Sequence, residues 1–91
     1  SVGQRGLTKL YNDIDAVNKE ISSVIARGQK TPINLDKALT RLDDLKSFYE
    51  DLPNPKSYLD EIDSIKSDAL QWNGKVIPAD KAQRMKQAIN R

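Results

Sequence analysis

A chain of 91 residues has room for one hydrophobic core, not two. With 37% hydrophobic and 31% charged residues it has the composition of a small helical domain, and four Gly and four Pro are too few for a linker or low-complexity chain. The absence of Cys and His removes disulfide and thiolate chemistry together with the commonest general base and metal ligand, and no apolar run reaches membrane-spanning length.

The net charge of +2 is unevenly spread: +2 over residues 1–30, −2 over 31–54, −2 over 55–72 and +4 over 73–91. An acidic middle therefore precedes a basic C-terminal segment. Residues 1–6, SVGQRG, have no periodicity and are expected to form a frayed lead-in. From Leu7 the apolar residues Leu7, Leu10, Ile14, Val17, Ile21 and Val24 recur every three or four positions, with Tyr11 and Ile25 alongside. That is the period of one buried helical face, and it predicts a first helix over about 7–27, with Gly28 taking the left-handed position after it.

Pro32 excludes a continuous helix, and Asn34 is the expected N-cap of a second one over about 35–52. Its seam is Leu35, Ala38, Leu42, Leu45, Tyr49 and Leu52, flanked by Leu39 and Phe48. Pro53 ends it, because the residue before a proline is pushed out of helical geometry. A third helix, over about 55–72, opens either at Pro55 with Asn54 as cap or after Ser57, where Ser57-x-x-Asp60 resembles a capping box. Tyr58, Leu59, Ile62, Ile65, Ala69, Leu70 and Trp72 give it a stripe about 160° wide, broad enough for more than one neighbour. Asn73-Gly74 closes it, Lys75 to Ile77 reads as extended, and Pro78 opens a short helix over 79–91 with Ala82, Met85 and Ile89 on one face. Short links between these helices predict an all-α, antiparallel three-helix bundle with a short fourth C-terminal helix. The whole of 1–91 is expected to be a single domain, part of a longer protein.

Three polar residues fall within the stripes: Asn18, Lys46 and Lys66. They are a candidate polar layer, the plainer expectation being that both lysines lay their stems along the bundle edge and keep the ammonium in water. The hydroxyls of Tyr11, Tyr49 and Tyr58 are expected at the rim, and Trp72 at the end of the third helix as a core plug. Adjacent acidic pairs such as Asp43/Asp44 do not face one another on a helix, and Asp60/Asp63 has no second pair to complete a metal site. No P-loop, glycine-rich elbow or nucleophile–base pairing is present, so no catalytic, metal or cofactor residue is assigned and the expectation is a non-enzymatic protein with no cofactor. The basic residues Lys75, Lys81, Arg84, Lys86 and Arg91 are candidate contacts for a partner or a nucleic acid. The competing expectation is a solvated basic face docked on the acidic second and third helices.

The stretch 72–91, WNGKVIPADKAQRMKQAINR, resembles a segment of bacteriophage tail tape-measure proteins, in which a Gly-Lys-x-Ile-Pro turn leads into an Ala-x-x-x-Lys helix. Gly74-Lys75-Val76-Ile77-Pro78 and the pair Ala82/Lys86 carry the match, over about a fifth of the chain. The resemblance implies a structural role, as a helical module of a larger virion protein. The leading expectation is thus a helical interaction or scaffold module with a protein partner or a second copy of itself and no membrane. The alternative is a small nucleic-acid-binding module using the basic C-terminal segment.

Overall fold

The computed structural model describes residues 3–91, with side chains from Thr8 onward. The side chain of Leu7 and the first two residues of the expected lead-in lie outside what is described. Four helices follow one another: α1 (Gly3–Ala26), α2 (Asp36–Tyr49), α3 (Lys56–Trp72) and α4 (Ala79–Ile89). The described residues form no strand. The first helix starts at Gly3, so most of the expected lead-in is helical. The second ends at Tyr49, three residues short of expectation, and the turn from Glu50 to Asn54 carries the chain across. Asn54 adopts φ +53°, which Asn tolerates better than most side chains because its short polar group bonds locally. Pro55 is the N-cap of α3 and Pro78 that of α4, and neither cap has a side-chain hydrogen bond.

Helical periodicity decides which residues go inside. Leu10, Ile14, Val17, Ile21 and Ile25 of α1, Ala38, Leu42 and Tyr49 of α2, and Ile62, Ile65 and Ala69 of α3 are all buried. Each large aliphatic side chain removed from water stabilises the fold by about 1.5–3 kcal/mol before conformational entropy is subtracted. The molecule is a flattened helical bundle, 46 × 27 × 16 Å. Its Cα radius of gyration is 14.4 Å, against about 12 Å for an isometric domain of this length. Helix α1 is the common neighbour, touching the other three, while α2 packs most closely on α3 and α4 on α1.

The last of these departs from expectation. The basic C-terminal helix lies on α1 rather than on the acidic α2 and α3. Ala82 is buried and Met85 half-buried, and a methyl group added at Gly28 would stand 3.5 Å from the Ala82 Cβ. Apolar fit, not charge, chooses the docking face.

The two connections at this end of the bundle are joined. The Ile33 N–H donates to the Lys75 carbonyl, and the Gly74 N–H donates to the Ile33 carbonyl, both at 2.9 Å. The Leu35 N–H donates to Asn73 Oδ1 at 2.7 Å, and Asn73 Nδ2 donates to Asp36 Oδ1 at 2.9 Å. Ile33, Leu35 and Ile77 are buried around this bridge. The N-cap position of α2 is Leu35 rather than Asn34, and Asn34 Oδ1 takes the Asp36 N–H at 2.8 Å in a local turn. A side chain 38 residues away thus satisfies a donor at the start of α2. Gly74, at φ +77°, makes the turn that brings Asn73 and Lys75 into place.

Aromatic positions also differ from expectation. The Tyr49 hydroxyl is fully buried with no hydrogen-bond partner, instead of reaching the rim. Tyr11, Phe48 and Leu70 are exposed, each one position off the line of residues that the neighbouring helix covers.

Two stability measurements test this description. Asn73→Ala leaves the partly buried Leu35 N–H without its acceptor and should cost about 1–3 kcal/mol. Asn34→Ala loses only an exposed bond and should cost clearly less by thermal or urea unfolding; the reverse ranking would contradict the bridge. Tyr49→Phe removes an unsatisfied buried hydroxyl and should leave stability unchanged or raise it. Burial, with a smaller push from Asp13, holds the Tyr49 hydroxyl above its ordinary 10.0. The unfolded chain therefore gives up that proton first, so wild-type stability falls as pH rises above 10, and Tyr49→Phe should flatten that fall.

Candidate functional site

Helices α1 and α2 meet over their apolar lines, and their edges diverge into a groove of about 420 Å³. Ala16 and Val17 of α1 and Leu45 and Phe48 of α2 supply its apolar surface, and Ala16 makes the space because a longer side chain there would fill it. The Phe48 ring stands 58% exposed, held edge-on to Tyr49 at 5.0 Å between ring centroids. Tyr49 in turn lies 5.5 Å from the half-buried Tyr58 ring, so the exposed ring is backed by a buried tyrosine and a second ring behind it. Lys9 and Asp13 pair across one edge at 2.9 Å, and Arg41 reaches Glu20 at 3.4 Å near the other. The hydrogen bond to Asp13 and its charge raise the Lys9 pKa. Such a groove can seat an apolar side chain between charged edges.

The three polar residues of the stripes do not meet. Lys46 pairs with Asp63 at 3.3 Å, and Lys66 with Asp43 at 2.8 Å, as two rungs between α2 and α3. Both ammonium groups remain partly in water, and the bond that Lys66 donates to Asp43 raises the Lys66 pKa. Asn18 is exposed on another face of α1, beside Met85 of α4. Hairpin register alone placed it level with the lysines; the rotation of α1 toward α4 takes it away.

The basic segment is likewise divided. Lys81 lies 4.6 Å over the Trp72 ring, and Arg84 bonds Asp80 at 2.9 Å, holding the Asp80 carboxyl below its ordinary range. Trp72 is half-buried beneath Lys81 and is not a full core plug. The side chains of Lys75, Lys86 and Arg91 are exposed, with Lys75 at the bridged connections and the other two toward the far end of α4. Asp60 is taken by Lys56 at 2.6 Å and Asp63 by Lys46, so these two carboxylates face different cations. Among the described residues no group of three His, Cys, Asp or Glu is placed to hold a metal ion, and no helix is long and apolar enough to cross a membrane.

The groove was not singled out by sequence reasoning. Its one signal is Phe48, a large aromatic beside the seam rather than in it, opposite a small Ala16. Comparison of the chain with protein-family models, with curated proteins and with solved structures returns no match.

The rungs between α2 and α3 are expected to be dispensable. Lys46→Met and Lys66→Met keep the apolar stem and drop a solvent-screened charge. Each should leave the melting temperature unchanged or raise it, and a marked loss of stability in either would make the rung a structural requirement.

Proposed function

We propose that this chain is a non-enzymatic helical interaction module of a larger structural protein, of the phage tail tape-measure kind. Its apolar groove between α1 and α2 would receive a side chain of a protein partner. The observation that carries this reading is the exposed Phe48 ring at a groove that the chain's own side chains leave open. Aromatic rings in this situation are favoured anchors, because they bury much area for little loss of conformational freedom. The tape-measure likeness rests on the residues Gly74 to Pro78, where Gly74, at positive φ, precedes α4.

The finer architecture belongs to the same proposal: an antiparallel three-helix bundle of α1, α2 and α3, with α4 appended to α1. It is supported by ion pairs whose numbers rise along one helix as they fall along the next. Lys46 with Asp63 and Asp43 with Lys66 do so for α2 and α3.

A photo-crosslinking phenylalanine at position 48 of the full gene product tests the proposal. Irradiation of the native assembly should give one discrete protein adduct, abolished by Ala16→Trp, which fills the groove. The same residue placed at exposed Gln71 should give none. No adduct from position 48, or the same adduct from position 71, overturns the reading, as would turnover of a substrate by the purified chain.

A further inference from the structure

Cancelling the ion pairs within the bundle leaves most of the remaining charges sorted by position, the exceptions being Asp36 and Asp68 toward the C-terminal end of α3 and Lys86 and Arg91 in and after α4. The rungs Lys46–Asp63 and Lys66–Asp43 and the Arg41–Glu20 pair neutralise the middle of the molecule. Among the described residues, the carboxylates of Asp44, Glu50, Asp51 and Glu61 have no ion-pair partner, and they lie around the turn from α2 to α3 or within about two helical turns of it. At the opposite end of α2, Arg27, Lys30 and Lys37 follow or flank the connection from α1, and Lys75 follows α3. The backbone bridge from Ile33 to Gly74 and Lys75 gathers these four cations, also without ion-pair partners, at one end. The 14 residues of α2 and 17 of α3 hold the turn with Glu50 and Asp51 about 20–25 Å from the bridged connections, while Asp44 lies about 10 Å along α2 from Lys37. Exposed Leu70 and Val76 stand beside the basic end.

We infer that the acidic turn of one copy docks on the basic, bridged connections of a second copy of this chain. The charges choose the occupant. Each end is the electrostatic complement of the other, whereas like ends repel. The inference rests on the reading of the chain as an interaction module and adds the partner, using residues other than the groove at Phe48. Charge provides most of the attraction, so the association is weak and governed by salt.

Sedimentation equilibrium of the purified chain tests it. At about 0.01 M salt, where charges act over ~30 Å, the average mass should rise with concentration. At about 1 M salt, where their reach is ~3 Å, it should return to that of one chain. Glu50→Lys with Asp51→Lys cancels the net charge of the acidic end, and Lys30→Glu with Lys75→Glu cancels that of the basic end. All four side chains are exposed, so each variant should keep the wild-type helical circular dichroism. Each should be monomeric alone, and mixing the two should restore association. A single-chain mass for the wild type at low salt, association indifferent to these reversals, or failure of the mixture to associate overturns the inference. So does a monomeric chain that binds a short DNA duplex and loses it on Lys30→Glu with Lys75→Glu, since the basic end would then belong to nucleic acid. A Phe48→Ala chain should associate as the wild type does, which separates this outcome from that of the groove.

Discussion

Two backbone hydrogen bonds between the connections, from Ile33 to Lys75 and from Gly74 to Ile33, set the arrangement of everything at that end of the molecule. Helix packing leaves both connections beside one another, where backbone polar groups need partners as much as any helix interior does. Ile33 uses both its N–H and its carbonyl on the second connection while its side chain enters the core. Asn73 completes the bridge by serving α2 as a cap from a distance, with its carbonyl oxygen on Leu35 and its amide on Asp36. With the connections tied, α4 leaves in a direction that lays Ala82 beside Gly28 and Met85 against α1.

Helix α1 is consequently used on more than one side. Its buried line of Leu10, Ile14, Val17, Ile21 and Ile25 meets the other helices, and a separate edge with Asn18 faces Met85 of α4. A third edge, with Lys9, Asp13 and Ala16, walls the groove under Phe48. A helix shared among three neighbours leaves diverging edges, and diverging edges are where a small helical protein has concave surface to offer.

The same geometry sorts the charges. Surface ion pairs contribute little to stability, but they decide which charges remain free to act on other molecules. Lys46 and Lys66 use theirs between α2 and α3. Lys30 and Lys75, separated by about half of the chain, are brought together unpaired by a contact between backbones.

Four helices and most of the core were legible from the chain itself. A repeat of three and four residues between Leu10 and Ile25, in the Ala38 to Tyr49 segment and from Ile62 to Ala69 commits those faces to burial wherever they end up. Gly28, Pro53 and Gly74 mark breaks because their allowed backbone angles differ from those of other residues. An apolar stripe says that a face is covered and not by what, so the seat of α4 on α1 was decided only by packing. The exposure of Tyr11 and Phe48 turned on a rotation of about one residue, which periodicity does not resolve. The bridge at Ile33 uses groups that nearly every residue carries and so leaves no mark in side-chain pattern. Which charges cancel and which survive depends on register between helices, and register exists only once the chain has folded.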